Sequence, residues 1–153
     1  MESLEPYLAE HPFLQGMNKR HIELLVGCAS NARFNEGEYV FREGDAATQF
    51  YFIRHGRLAL EIYRLRKGPV VVQTLGPGDI LGWSWLFPPY RLHSDCRAME
   101  LTRAIALDGT CLRQKCEEDH ELGYQLMKRF AHVFEKTLQA TRMQLLDIYG
   151  TQE

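Results

Sequence analysis

Residues 78–97 read GDILGWSWLFPPYRLHSDCR and hold the side chains of the chain best suited to ligand chemistry. The glycine at position 82 allows a tight turn in which the backbone can come close to a small anion. Directly after it stand Trp83 and Trp85, which are the only two tryptophans of the chain. A bulky aromatic pair is unusual beside such a turn, so the segment either holds a ligand or is filled so that none fits.

The two tryptophans support two interpretations. An indole face suits a purine or another flat molecule, so Trp83 and Trp85 could line a modified pocket. Alternatively, the two rings could fill the space that a ligand would occupy. Because residues two apart on a helical turn do not face the same way, we expect one indole to point inward and the other toward the core or a neighbouring element. The sequence leaves lining and filling open.

The four cysteines stand at positions 28, 96, 111 and 116. The N-terminal residues MESLEP lack the basic and apolar regions of a signal peptide, which indicates a cytoplasmic protein. We therefore expect free thiols rather than disulfides. Cys111, Cys116 and His120 form a C-x4-C-x3-H run, but only Cys116 and His120 would share a helix face, and no fourth ligand is evident. Helical packing is the preferred interpretation, and we expect no metal.

The composition argues against several classes of function. The 153 residues carry 18 Lys and Arg against 20 Asp and Glu, a formal net charge of −2, whereas nucleic-acid-binding domains usually present a basic face. No apolar run approaches the roughly 18 residues of a membrane span. A P-loop, a convincing catalytic triad and the clustered histidines of a metal-dependent cupin are also missing from the sequence. We expect a non-enzymatic protein without nucleic-acid or membrane partners and without a resident cofactor.

Hydrophobic periodicity divides one predicted domain into three segments. Residues 4–29 have the spacing of short helices. Over 33–107, short apolar runs alternate with glycine-centred turns, which predicts an antiparallel sandwich or barrel. Its predicted strands cover 39–41, 50–53, 58–63, 70–75, 96–100 and 102–107. Over 110–149, spacing in threes and fours predicts a short helix, capped by Asp108 or Thr110, and a long helix capped by Asp119.

The long helix is predicted to extend beyond what a small sandwich can cover. Roughly 30 residues at 1.5 Å per residue span about 45 Å. Its stripe consists of Leu122, Leu126, Phe130, Val133, Phe134, Leu138, Thr141, Leu145 and Ile148. We expect part of the stripe to pack against a second copy, as in a coiled coil, so that the chain forms a homodimer. The alternative is that the stripe only covers the sandwich.

The order of a helical lead, an eight-stranded antiparallel jelly roll and a long closing helix carries a resemblance. The runs FNEGEYVFREGD (34–45), FYFIRHG (50–56) and GPGDILG (76–82) resemble the cyclic-nucleotide-binding domain of the catabolite-activator superfamily. The glycines make physical sense because tight hairpins need positive φ. The resemblance covers essentially the whole chain. It implies a mainly β domain with flanking helices, whose phosphate-binding cassette lies at 78–97.

In that family the cassette is a short helix whose backbone N–H groups receive a cyclic phosphate. The resemblance places Gly82, Trp83 and Ser84 at the start of this helix. A family Glu after the last glycine accepts from the ribose hydroxyl, and a family Arg pairs with the phosphate. Here Trp83 occupies the Glu position and His93 the Arg position, with Ser94 on the following Ser/Thr. Both ligand-defining residues differ, so we expect divergence from ordinary cyclic-nucleotide binding.

Three further residues are candidate ligand contacts. Arg91 lies two positions before His93 and could replace the missing arginine, since a histidine is positively charged only in mildly acidic solution. The family's long helix offers hydroxyl groups to the nucleotide base, and Thr141 fits that position, whereas Arg142 departs from the pattern. Thr141 could instead belong to the dimer stripe.

The resemblance implies a regulatory or sensor module in which a small ligand stabilises one helix arrangement over another. No helix-turn-helix reader of DNA follows the long helix, so we expect a stand-alone module that acts on an unidentified protein partner. The alternative is a protein-interaction or dimerisation scaffold that keeps the fold without the ligand.

Overall fold

The computed structural model describes residues 3–150, in which eight strands are flanked by helices. The strands are β1 (Ala29–Phe34), β2 (Tyr39–Phe41), β3 (Gln49–His55), β4 (Leu58–Arg64), β5 (Gly68–Leu75), β6 (Ile80–Leu81), β7 (Asp95–Ala98) and β8 (Thr102–Asp108). The helices are α1 (Glu5–Glu10), α2 (Lys19–Val26), α3 (Gly109–Glu118) and α4 (His120–Gly150), with 3-10 turns at Pro12–Leu14 and Trp83–Leu86. Two antiparallel sheets, β1-β8-β3-β6 and β2-β7-β4-β5, confirm the predicted mainly β jelly roll with flanking helices.

The sandwich core lies between the two sheets. Alternate side chains of the strands point into it, as the pleat of a β-strand requires. The buried members of this core are Tyr51, Ile53, Leu58, Leu60, Leu75, Leu81, Cys96, Ala98, Ala104 and Ala106. Most of them are aliphatic or small, and they pack the two sheets directly against each other.

The outer face of the β1-β8-β3-β6 sheet forms a second apolar layer with the N-terminal segment. The Phe13 ring meets Phe50 and Phe52 of β3 at centroid distances of 5.9 and 5.6 Å. Tyr51 and Ile53, which alternate with those two residues, face the sandwich core instead. Burial on both faces explains why β3 is a continuous apolar run rather than an alternating one.

The predicted helical lead over 4–29 ends earlier than expected. Helix α2 stops at Val26, and β1 begins at Ala29. Strand β1 pairs with β8 along its whole length, from Ala29 opposite Leu107 to Phe34 opposite Thr102. Its sequence, ASNARF, has little apolar alternation, so its strand conformation is decided by pairing with β8 rather than by local pattern.

The expectation that all four cysteines are free was wrong for one pair. Cys28 and Cys111 form a disulfide with a Cα–Cα distance of 5.8 Å, although they lie 83 positions apart. Pairing of β1 with β8 brings their flanks together, and the Asp108 N–H donates to the Cys28 carbonyl at 3.0 Å. The bond also removes Cys111 from the C-x4-C-x3-H run. Cys96 and Cys116 are free thiols.

The chain divides into two compact units, Met1–Lys115 and Cys116–Glu153. In the first, Asp108 caps α3 as predicted, its Oδ1 accepting from the Cys111 N–H at 2.8 Å. In the second, Asp119 caps α4, its Oδ1 accepting from the Leu122 N–H at 3.1 Å. Helix α4 is 31 residues long. Within residues 3–150, none of the helices combines the length and the apolar character that crossing a membrane requires.

Candidate functional site

The turn at Gly82 sets the geometry of the predicted cassette. Gly82 has φ 88° and ψ 56°, a left-handed conformation that glycine adopts without a steric penalty. A Cβ at this position would lie 3.2 Å from the carbonyl oxygen of Gln49 on β3. Any other residue here would strain the backbone and push against β3, so glycine suits the close approach of the 3-10 turn Trp83–Leu86 to this strand. Ser84, inside this turn, is buried.

The two tryptophans of this turn have different environments. Trp85 is 1% exposed and lies 6.1 Å from the Phe50 ring, in the layer outside the first sheet. The Arg113 guanidinium donates to the Trp85 carbonyl, and Gly109 leaves room for the Trp85 side chain. Trp83 is only half-buried. The part of the expectation that sends one indole toward the core is met by Trp85, whereas an inward position of Trp83 stays a prediction.

The segment that leads from the turn into β7 alternates between solvent and core. Arg91 and His93 are exposed, whereas Leu92 between them is buried. Arg91 pairs with Ala46 through an isolated β-bridge, and its Nη1 donates to the Gly44 carbonyl at 3.4 Å. Ser94 follows, half-buried. Both candidate cationic side chains thus start from the solvent side of this segment.

Asp95 carries the negative charge closest in sequence to the candidate phosphate contacts. Its carboxylate is buried, and its Oδ1 accepts from the Glu43 N–H at 2.7 Å. The same oxygen lies 3.3 Å from Nε of Arg42. Asp95 is therefore bonded to the turn between β2 and β3 and paired with Arg42, so it counts less against an anionic ligand than its position in the sequence suggests.

An ion pair with a buried carboxylate, which the sequence prediction missed, lies between β4 and β7. Arg97 donates from Nε and Nη2 to the two carboxylate oxygens of Glu61 at 3.0 and 3.1 Å. The Glu61 side chain is 2% exposed, and its hydrogen bond raises the pKa of the Arg97 guanidinium. Both of these Arg97 nitrogens are therefore engaged with a carboxylate. One acid in the apolar strand LALEIY was the signal available in the sequence.

The Cys96 thiol and the Tyr51 phenol are not nucleophiles at neutral pH, because burial raises the pKa of each. Desolvation, reinforced by the charge of Glu61, raises the pKa of Cys96 to about 12. Burial and then the neighbouring Cys96 raise the pKa of Tyr51, whose hydroxyl donates to the Gln49 side chain at 2.8 Å. Both groups stay protonated, so they pack as neutral side chains in the sandwich core.

The remaining predicted contacts lie on α4, in the second unit. Thr141 is exposed, and its hydroxyl donates to the Thr137 carbonyl at 2.9 Å. Arg142 is also exposed. The candidate contacts thus form three groups: the turn residues Gly82, Trp83 and Ser84, the segment residues Arg91, His93 and Ser94, and the helix residues Thr141 and Arg142.

Comparison with known proteins identifies the family. The model of the cyclic nucleotide-binding domain family matches residues 32–119. A CRP-like cAMP-activated global transcriptional regulator of Mycobacterium tuberculosis is 25% identical over 152 residues, which cover 97% of this chain and 64% of that protein. A cyclic nucleotide-gated ion channel of Arabidopsis thaliana is 28% identical over 135 residues, which cover 18% of its length. The chain thus spans less than two thirds of the length of these curated relatives.

Solved structures share the fold. A candidate cyclic nucleotide-binding protein from Geobacter metallireducens has a TM-score of 0.80 at 25% identity, over 90% of this chain and 99% of that chain. The catabolite activator protein of Thermus thermophilus has a TM-score of 0.71 at 19% identity, over 91% of this chain and 63% of that chain. The family match covers more than half of the chain and includes the whole Gly82 turn. The chain belongs to the cyclic nucleotide-binding domain family.

Proposed function

We propose that this chain is a regulatory module whose cassette takes a small ligand other than an ordinary cyclic nucleotide. Family membership supports a binding role rather than a catalytic one. The mycobacterial relative is named as cAMP-activated, which supports a role in switching a response on ligand binding. The ligand would shift the equilibrium between two states of the module by the difference in its binding free energy for these states.

The observation that carries the proposal is the difference in burial between Trp83 and Trp85. Trp85 completes the apolar layer beside Phe50, whereas Trp83 follows the left-handed Gly82 and stays half-buried. Trp83 is thus more accessible than Trp85, and the family resemblance places it where family members carry the ribose-binding Glu. An aromatic side chain there offers stacking in place of a carboxylate acceptor. This favours a flat ligand over a ribose hydroxyl.

The charges near the cassette support the same divergence. A guanidinium–phosphate contact is worth about 1.5–3 kcal/mol, which corresponds to roughly ten- to hundredfold in affinity. Here His93 stands at the arginine position, Arg91 lies at the solvent side, and Arg97 is held by Glu61. An ordinary cyclic phosphate would lack its principal cationic partner. Thr141 and Arg142 remain candidate contacts through the family resemblance.

Trp83 itself provides the test. A Trp85→Phe variant keeps an aromatic ring beside Phe50 and leaves Trp83 as the only tryptophan. We expect a cassette ligand to shift or quench the Trp83 emission, with millimolar cyclic AMP and cyclic GMP having no effect and a flat ligand such as flavin or haem changing it. Absorption spectra of the purified protein would reveal a co-purified chromophore. Emission that none of these ligands alters would contradict the sensor function and favour the ligand-free alternative.

The second candidate function is a dimerisation or protein-interaction scaffold. It is favoured by α4, on which Leu122, Leu126 and Phe130 are buried, whereas the apolar side chains after residue 137 are exposed. Phe134, Leu138, Thr141, Leu145 and Ile148 are spaced alternately four and three residues apart, which is the pattern of a coiled-coil seam. We infer a homodimer formed through this seam, with the output passed to a protein partner.

A cytoplasmic location and the lack of nucleic-acid and membrane partners stay predictions from the sequence. The net charge of −2 supports the first exclusion. The Cys28–Cys111 bond bears on the location, because disulfides persist mainly in oxidising compartments. Alkylation of the protein in intact cells followed by mass spectrometry would establish whether this pair is reduced where the protein works.

A further inference from the structure

A cleft lies outside the cassette, against the strands β1, β8 and β3. It encloses about 360 Å³, within the range of small-molecule sites, and its lining includes Leu4, Tyr7, Asn31, Arg33, Arg54 and Arg103. Ala32 and Ala104 pack toward the sandwich core. Their neighbours along the strands, Arg33 and Arg103, therefore point to the opposite, outer face. None of residues 78–97 lines this cleft.

Three arginines cross the cleft on three neighbouring strands. Arg33 on β1 lies directly opposite Arg103 on β8, and Arg54 lies on β3, the other neighbour of β8. Strands stand about 4.8 Å apart, so the row extends over about 10 Å. Like charges placed directly opposite each other destabilise a sheet. A bound anion between the two exposed side chains would relieve this repulsion.

Over residues 3–150, the structure places no compensating carboxylate in this cleft. None of the described residues that line the cleft is a carboxylate. Within residues 3–150, no ion pair or hydrogen bond engages the guanidinium groups of Arg33 and Arg103. The third arginine is held in place: its guanidinium carbon lies 3.9 Å from the centroid of the Tyr7 ring on α1. Stacking on a ring face leaves the N–H edges of a guanidinium able to donate.

We propose that this cleft binds a small multivalent oxyanion of the polyphosphate class. Guanidinium groups match phosphate oxygens in paired hydrogen bonds, and a planar fork fixes their direction. A row of about 10 Å exceeds the reach of a single phosphate group and suits a chain of two or three. Asn31 adds a side-chain amide to the same lining. The proposed site shares no lining residue with the segment 78–97.

The test is titration of inorganic tripolyphosphate at physiological ionic strength, followed by calorimetry and by thermal unfolding. We expect the native chain to bind and to unfold at a higher temperature with the ligand, as linkage requires. The Arg33→Gln, Arg103→Gln double variant should lose at least tenfold in affinity. Because it removes a like-charge pair between two exposed side chains, its unfolding temperature without ligand should not fall.

A matched control removes two positive charges elsewhere. Arg64 and Lys67 are exposed at the turn between β4 and β5, and an Arg64→Gln, Lys67→Gln variant should bind within twofold of the native chain. A His93→Ala variant should also bind normally, which separates the cleft from the cassette. Equal losses in the two double variants, or no binding by the native chain at millimolar tripolyphosphate, would overturn the proposal.

A second titration, with adenosine triphosphate, distinguishes a free phosphate chain from a nucleotide as the ligand. Affinity equal to that for tripolyphosphate would assign the phosphate chain alone as the ligand. Tighter binding that is lost in the Arg33→Gln, Arg103→Gln variant would assign a nucleoside polyphosphate. Either result supports the site, whereas nucleotide binding that survives in this variant would place the nucleotide elsewhere and count against it.

Discussion

Trp83 and Trp85 are two positions apart in the sequence, yet their expected contributions to stability differ. Trp85 is almost completely buried, so truncation to alanine should lower the free energy of unfolding by about 3–5 kcal/mol. Trp83 is half-buried, and its truncation should cost clearly less. Urea unfolding of the two single alanine variants measures both values. Equal losses would contradict the assignment of Trp85 to the core and of Trp83 to the ligand region.

His11 links stability to pH at a single buried residue. Its Nδ1 accepts from the Phe13 N–H at 3.2 Å, so its Nε2 carries the proton and donates to the Ile53 carbonyl at 3.2 Å. Desolvation lowers the pKa of this imidazole, and the Ile53 carbonyl and Asp79 oppose the shift only in part. The folded protein therefore favours the neutral imidazole of His11, which makes both hydrogen bonds.

The sign of the pH effect follows from that shift. Below the ordinary value of 6.5, the unfolded chain takes up a proton that the folded chain resists. The His11 contribution is therefore complete above pH 6.5 and is lost as the pH falls through the lowered folded-state pKa. Urea unfolding between pH 8 and pH 5 should show a steeper loss for the native chain than for a His11→Gln variant. Parallel curves for the two proteins would refute this role.

At the scale of secondary-structure elements, the sequence predicted most strands because glycine turns bound them. The runs over 39–41, 58–63 and 102–107 match β2, β4 and β8 closely. The prediction missed β1, which is polar and depends on pairing with β8, and β6, which is only two residues long. Both have too little local pattern to be recognised, since their conformation comes from partners distant in the chain.

Helix α4 carries the prediction on assembly. Replacing Leu138 and Leu145 with glutamine places two polar side chains in the proposed seam, so the dimer should dissociate to a monomer at micromolar concentration. Light scattering coupled to size-exclusion chromatography measures the mass directly. The control is Met143→Gln with Leu146→Gln, because these two exposed side chains lie outside the seam. A monomeric native chain, or equal dissociation in both variants, would contradict the seam.

At the scale of the whole molecule, long-range pairing decided what the sequence could not. The 83 positions between Cys28 and Cys111 gave no local signal for a disulfide, and only the pairing of β1 with β8 brings the two together. The row of Arg33, Arg54 and Arg103 has the same origin, because each arginine is unremarkable within its own strand. Local glycine spacing, by contrast, was sufficient to locate the Gly82 turn.

The family assignment and the proposed divergence of the cassette rest on different grounds. The first rests on a match over residues 32–119 and on a shared fold. The second is a proposal from Trp83 and His93, which stand where the family resemblance places a Glu and an Arg. Glycine spacing in the sequence was enough to predict both positions, whereas the burial of Trp85 and the bonding of Arg97 to Glu61 required the structure.

Divergence of the cassette is tested by a calorimetric titration of cyclic AMP into the native chain and into a Trp83→Glu, His93→Arg variant. We expect the double variant to bind at least tenfold more tightly, because it supplies an acceptor for the ribose hydroxyl and a guanidinium for the phosphate. A Trp83→Glu, His132→Arg variant, with the same added charges but the arginine on α4, should not gain this affinity. Native binding of cyclic AMP as tight as that of the double variant would show that the cassette has not diverged in its ligand.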